Sequence, residues 1–186
     1  MNSESLYTIL VYSENTPGVL SQITAVFTRR QVNIESLNVC ASATPGVHKY
    51  TFTCVCTEEM AQTLTKHMEK RIDVLQANYY TDDDLFHTES AMLKISTPIM
   101  LEKPEVSHTV RVHGGSFIEV NPVFAIVEKT GRTETIHSLY SKLDQLGAVI
   151  QFVRSGRICV TRSKEERLDT YLASREKERN NIDQDK

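Results

Sequence analysis

Glu14-Asn15-Thr16-Pro17-Gly18-Val19-Leu20, followed one helix later by Asn33-Ile34-Glu35-Ser36-Leu37, is the stretch whose reading decides the fold. Upstream, Leu6-Tyr7-Thr8-Ile9-Leu10-Val11-Tyr12 is a β-branched, aromatic-rich run of strand length. Downstream, Val19, Leu20, Ile23, Val26 and Phe27 recur at helical spacing, so the quoted run joins a strand to a helix. Thr16 is placed to cap that helix and Pro17 fits its first position, where no amide hydrogen is needed; Gly18 and Val19 then carry unpaired amides. Val19 stands where a capping box would put Glu or Gln, so no internal carboxylate competes for those amides. Gly18 has no Cβ and lets a ligand approach the backbone. Taken alone, these residues fit an ordinary strand-to-helix turn as well as a site for a small carboxylate.

Working outward, the first domain reads as strand, helix, strand, strand, helix, strand at roughly 6–13, 19–30, 33–42, 47–57, 58–70 and 72–80. Thr44-Pro45-Gly46 supplies the turn between the second and third strands. Right-handed crossovers then give a four-stranded antiparallel sheet with both helices on one face. Apolar residues on both strand faces (Leu10 and Val11, Phe52 and Val55) predict that the bare face or an edge packs against another subunit. Asp82-Asp83-Asp84 and the polar stretch to Glu89 read as a linker at roughly 83–90. A second domain at roughly 91–162 repeats the order, with strands near 91–96, 116–121, 123–130 and 149–154 and helices from Pro104 and over 133–146. Ile136, Leu139, Tyr140, Leu143 and Leu146 form one stripe of the last helix, Gly147 suits its C-cap, and Gly131 and Asn121-Pro122 mark turns. The predicted class is α+β, two ferredoxin-like βαββαβ domains, with 1–82 as the first domain. Residues 163–186 read as a marginal helix and a charged, partly disordered tail.

Composition limits the function classes. The 186 residues suffice for two small cores at 40% hydrophobic content, and a formal charge of −3 without a basic stripe argues against broad nucleic-acid binding. No apolar run approaches the roughly 18 residues of a spanning helix, and Met1-Asn2-Ser3-Glu4-Ser5 lacks signal-peptide character, so no membrane attachment is expected. The four cysteines, Cys40, Cys54, Cys56 and Cys159, show no metal-site spacing and read as small buried hydrophobes of a reduced, cytoplasmic protein.

No catalytic constellation emerges. Phosphate-loop, nucleophile-elbow and zinc signatures are missing, Gly114-Gly115 reads as a turn, and the six histidines are scattered. Glu58-Glu59 opens the second helix and Arg29-Arg30 ends the first, both suited to the helix dipole. Arg154, in Arg154-Ser155-Gly156, stays open between pairing across an interface and a surface position beside a hairpin glycine. Neither catalytic residues nor a metal site is expected.

The first-domain motif, continued by Asn38-Val39-Cys40 and joined by Arg71-Ile72-Asp73-Val74-Leu75 and Phe152-Val153-Arg154-Ser155-Gly156, resembles the regulatory (small) subunit of acetolactate synthase, whose N-terminal part is an ACT domain. The resemblance is close from about residue 6 to about residue 97 and looser beyond. It implies a non-catalytic partner that activates the catalytic (large) subunit and mediates feedback inhibition by a branched-chain amino acid, usually valine. It also implies that thiamine diphosphate, Mg and FAD reside in that catalytic partner and none in this chain.

By the same resemblance, two ACT domains pair side by side as a homodimer, and the effector lies between the helix start of one and residues of the other. Asn15, Gly18, Val19 and Leu20 would meet its carboxylate and backbone, Asn33 its polar end, and Ile34, Val39 and Cys40 would shape the side-chain pocket. Pro17 and Cys40 stand where many members carry other residues, and Cys40 could narrow the pocket. One methylene is worth only about 0.8 kcal/mol, so valine, leucine and isoleucine are not separable on sequence. A free-standing ACT-domain sensor acting on another enzyme or a transcription factor is the alternative. An RNA-binding module of the same strand order is disfavoured, because His48-Lys49-Tyr50-Thr51-Phe52-Thr53 lacks the expected glycine.

Overall fold

A computed structural model describes residues 3–163 and, beyond them, Leu168 and Ala173, both helical. The rest of the tail expected from 163 onward, as marginal helix and disorder, lies outside the described residues. The chain divides into two compact units. One runs to Phe86 and resumes at Cys159; the other is His87–Ile158.

The first unit contains β1 (Ser5–Glu14), α1 (Val19–Arg29), β2 (Ser36–Ala41), β3 (Val47–Cys56), α2 (Glu58–Glu69) and β4 (Val74–Tyr80). Its sheet order is β2-β3-β1-β4, antiparallel throughout. Alternation along β1 points Tyr7, Ile9 and Val11 at the helices, where they meet Val19, Ile23 and Phe27 of α1 and Ala61, Leu64 and Met68 of α2. Phe27 and Phe52 sit with ring centroids 5.0 Å apart at the centre of this core. Each such large side chain contributes about 1.5–3 kcal/mol on burial. Helix α2 starts where the sequence placed it: Thr57 Oγ1 accepts from Met60 N at 3.3 Å, and Glu58 and Glu59 occupy the first turn.

Strand β2 begins at Ser36, three residues later than expected, because 33–35 are used to leave α1. That exit is a Schellman turn: Gln31 N donates to Thr28 O at 3.1 Å and Val32 N to Phe27 O at 3.1 Å. Gln31 takes the left-handed position at φ 54, a place usually held by glycine.

The second face of this sheet is not left to another subunit at Leu10. Leu10 packs with Leu85 and Cys159, beside Tyr80, all within the same unit. Residues 159–161 belong to β9 (Ile158–Thr161), a strand the sequence reading did not include because four residues are too short to display a period. Lys49 Nζ fixes it by donating to Cys159 O at 2.8 Å, and Arg162 N donates to Asp84 O at 2.9 Å. Of the cysteines, Cys54, Cys56 and Cys159 are buried, whereas Cys40 is exposed on β2, against expectation. Cys54 and Cys56 share a thiol hydrogen bond with their sulfurs 3.9 Å apart and form no disulfide. Burial, then the neighbouring Cys56, pushes the Cys54 thiol up to about 12.

Strand β5 (Leu85–Ser96) starts in the first unit and belongs to the second from His87 onward; the second unit continues with α3 (Thr97–Glu102), α4 (Pro104–Val112), β6 (Ser116–Val120), β7 (Phe124–Gly131), α5 (Thr133–Gln145) and β8 (Val149–Arg154), with sheet order β6-β7-β5-β8. Strand β5 occupies most of the stretch expected as a linker. Leu85, Glu89 and Ala91 are buried along it, and its polar composition concealed the strand because the charge of Glu89 is matched by residues distant in sequence. A short 3-10 helix, Asp82–Asp84, precedes it. There Asp84 Oδ2 accepts from Thr81 N at 2.9 Å and Thr81 Oγ1 at 2.7 Å, which holds the Asp84 carboxyl below the usual carboxylate range. Helix α3 was not foreseen; Ser96 Oγ caps it by accepting from Ile99 N at 3.4 Å. The stripe of α5 buries Ile136, Leu139 and Leu143, the last two in one cluster with Leu93, Ile95 and Val127. Gly147 ends α5 in a second Schellman turn, and Gly114 does the same for α4.

Candidate functional site

The turn before α1 differs from the expected cap. Val19 N donates to Thr16 O at a long 3.5 Å, and Gly18 sits at φ 89, ψ −11, the second central residue of a type II turn with Pro17 before it. Gly18, not Thr16, is the N-cap, and Gln22 N makes the first helical bond to Gly18 O at 3.1 Å. Thr-Pro-Gly satisfies a helix start and a type II turn equally well, so sequence alone did not separate them. The Val19 amide is engaged in closing the turn; the Leu20 and Ser21 amides that follow take no partner among the described residues. No acidic residue occupies the first turn and no side chain caps it. A Cβ at Gly18 would meet nothing within 4 Å, so glycine is needed there for its positive φ rather than for room.

The other sequence-nominated residues divide by position. Asn15 is exposed, and its own N–H donates to Gly46 O at 2.9 Å, which ties the turn to the start of β3. Val19 is 1% exposed with its side chain in the core, so only its backbone can serve a ligand; Leu20 is 41% exposed. Val39 pairs with Tyr50 and Cys40 with Lys49, so Val39 faces the helix side of the sheet and Cys40 the opposite side. Both lie at the end of β2 beside the α1 start, since Ala41 pairs with His48 and His48 with Ser13.

Asn33 and Ile34 are at the other end. They follow the last turn of α1, near the point where Ser36 pairs with Thr53 and Thr53 with Thr8. Asn33 Nδ2 donates to Glu35 Oε1 at 3.0 Å, and Ile34 packs half-buried on the core. Eleven helical residues span about 16 Å. Within one chain, therefore, the eight residues form two separate groups: Asn15, Gly18, Val19, Leu20, Val39 and Cys40 at the helix start, and Asn33 with Ile34 at its end. Strand β2, which runs between them, is an edge strand of the sheet.

Two further observations bear on chemistry. Among the described residues no group of three or more His, Cys, Asp or Glu is arranged to hold a metal ion, and no helix is long and apolar enough to cross a membrane. In the second unit Glu89, 3% exposed, accepts from Thr133 Oγ1 at 2.6 Å and Arg154 Nη1 at 3.1 Å, with Arg157 Nε at 3.9 Å. Arg154 thus pairs inside its own unit. The sequence did not signal this cluster, because its members are brought together by the strand pairings of Ala91 with Arg154 and of Glu89 with Gly131.

Comparison with known proteins fits this architecture. A family model for the small-subunit-like ACT domain of acetohydroxyacid synthase matches residues 9–76, and one for the small subunit of acetolactate synthase matches 88–163. A probable acetolactate synthase small subunit from Methanothermobacter thermautotrophicus is 30% identical over 149 residues, covering 80% of this chain and 88% of that one. The chain belongs to the acetolactate synthase small-subunit family. The Bacillus subtilis small subunit is 31% identical over 155 residues, covering 82% of this chain and 88% of its own. The crystal structure of the Thermotoga maritima small subunit shares the fold at a TM-score of 0.77, with 23% identity over 86% of this chain and 99% of that one. Membership in the small-subunit family makes the chain a regulatory subunit in branched-chain amino-acid biosynthesis, with an ACT domain as its first unit. All eight nominated residues fall inside the ACT match.

Proposed function

We propose that this chain is the regulatory subunit that binds the thiamine-diphosphate-dependent catalytic subunit of acetolactate synthase, raises its activity and transmits feedback inhibition by a branched-chain amino acid, valine first among them. Thiamine diphosphate, Mg and FAD belong to the catalytic partner in this reading, and this chain binds the amino-acid effector.

The observation that carries the proposal is the separation of Asn15 from Asn33 along α1. One amino acid cannot touch both in a single chain. Antiparallel pairing of two β2 edges across a two-fold axis removes the difficulty, because it lays the start of one β2 beside the end of the other. Asn33 and Ile34 of one copy then approach the α1 start of its partner. The free Leu20 and Ser21 amides and the positive end of α1 favour the effector carboxylate. Asn33 can donate to a carboxylate and accept from an ammonium, which suits a zwitterion. A ligand held by both copies biases their relative orientation, and that two-state element couples its binding to the catalytic subunit.

Mixed dimers test the arrangement. Asn15→Ala and Asn33→Ala are made separately, and each homodimer is expected to lose valine inhibition of the reconstituted holoenzyme while still activating it. Mixing the two variants leaves one of two sites with both asparagines intact, so calorimetry should recover valine binding at half the wild-type stoichiometry among heterodimers. If mixing recovers nothing, or if either homodimer binds valine as the wild type does, the bridged site is wrong.

A further inference from the structure

Residues from the last turns of the two helices of the first unit line a second site. A cleft of about 390 Å³ opens there, lined by Val26, Arg29, Arg30, His67, Lys70 and Arg71. None of the eight effector residues lines it. Arg29 and Arg30 end α1, while Lys70 and Arg71 follow α2, so four basic side chains converge although the two pairs are about forty positions apart in sequence. Lys66 and Glu69 both line the adjoining cleft that shares His67 and Lys70. The chain as a whole carries a formal −3, which makes this concentration a local feature.

The carboxylates do not neutralise it. None of Arg29, Arg30, Lys66, Lys70 and Arg71 forms an ion pair among the described residues. Glu69, the acid nearest in sequence, turns Oε1 to Ala77 N at 3.3 Å. Helix C-termini attract cations through their dipoles, and one or two basic residues per helix serve that purpose. Two details exceed it. Arg71 Nε is buried with no hydrogen-bond partner, an expensive arrangement unless an acceptor arrives. Arg30 Nη2 lies 3.3 Å from Nδ1 and 3.4 Å from Nε2 of His67, so its guanidinium is held by a ring instead of an acid. Desolvation, then Arg30, Lys70 and Arg71, pushes the His67 imidazole below its usual value, as expected where positive charge lacks a counterion.

We propose that this cleft binds a multiply charged phosphate anion, a di- or triphosphate group, between the C-terminal ends of α1 and α2. Arginine forks match phosphate oxygens bidentately, and a polyphosphate supplies enough negative charge for four cations within the volume available. The cleft shares no lining residue with the amino-acid site, while Arg71 lies two residues from Asp73, whose carbonyl accepts from Glu14 N at 2.9 Å beside Asn15.

The probes are inorganic pyrophosphate and tripolyphosphate, titrated into the full-length chain by calorimetry at low ionic strength, with citrate and sulfate as comparators. Pyrophosphate or tripolyphosphate should bind one per chain, at least tenfold tighter than sulfate, and weaken as salt rises. Arg71→Gln and Arg30→Gln should each reduce affinity by tenfold or more with an unchanged circular-dichroism spectrum. As a probe that does not depend on any variant folding, the His67 ring resonances should move and its pKa should rise on saturation. Citrate binding tighter than pyrophosphate, equal affinity for sulfate, or indifference to both substitutions would each overturn the assignment. So would loss of association with the catalytic subunit in these variants without any pyrophosphate binding by the wild type, which would assign the cleft to an acidic protein surface.

Discussion

Asn15 and Asn33 stand at opposite ends of α1, one before its first turn and the other after its last, so a ligand that contacts both must be shared between two copies of the chain. An effector bound in this way stabilises the dimer by mass action. Sedimentation velocity of the isolated chain near its dimer dissociation constant should therefore show valine shifting the population toward dimer. In the Asn33→Ala variant the shift should disappear. A valine affinity independent of protein concentration across the dissociation range would contradict a shared site.

Two backbone positions make opposite forecasts. Gly18 is at φ 89 with open space around it, so Gly18→Ala should destabilise the first unit by about 1 kcal/mol through conformation alone. Gln31 occupies the glycine position of the Schellman turn at φ 54, so Gln31→Gly should stabilise by about 0.5–1 kcal/mol. Urea unfolding of both variants decides the matter. The same sign for both would mean that neither turn is under conformational control.

Glu89 should be among the most sensitive polar positions. Replacing it with alanine withdraws the acceptor from Thr133 Oγ1 and Arg154 Nη1 and leaves the Arg157 side chain, 4% exposed, without this carboxylate. Removing one member of a buried ion pair costs about 3–5 kcal/mol. Arg154→Ala should cost less, since Arg154 is 32% exposed and water can replace part of what it loses. Thermal unfolding of the two variants gives the ranking, and a milder effect for Glu89→Ala would refute it.

Acid sensitivity should arise in part from His67. Its folded pKa lies below the usual 6.5 because of desolvation and because Arg30 on α1 and Lys70 and Arg71 after α2 face it. The unfolded state then binds the proton more readily, so this contribution to stability is fully present above about pH 6.5 and is lost as pH falls toward the depressed folded value. His67→Gln should flatten the stability profile in that window. Polyphosphate, by supplying a counterion, should flatten it as well. A profile unchanged by His67→Gln would remove the imidazole from the account.

How much was legible in advance follows from the range of each signal. The βαββαβ order was readable because hydrophobic periods of two and 3.6 are local, as in Ile9 and Val11 of β1 or Ile136, Leu139 and Leu143 of α5. Gly147 and Asn121 announced their cap and turn through chemistry confined to a few residues; Asn121 Oδ1, for instance, accepts from Val123 N and Phe124 N at 2.9 Å each. Thr16-Pro17-Gly18 failed as a cap prediction because the same three residues satisfy two local geometries. Strand β5 was mistaken for a linker because Glu89 looks solvent-bound until Arg154, sixty-five positions later, is placed beside it.

The sequence by itself determined the family and the order of elements and nominated residues for the proposed effector, since all of these readings draw on side-chain type and short-range spacing. Only the tertiary structure decided that Asn33 lies away from Asn15, that Leu10 is covered by Leu85 and Cys159, and that Arg30 and Arg71 share a cleft. Those relations depend on which strands pair and where helices end, and chain entropy lets residues distant in sequence meet only once the packed core has fixed them.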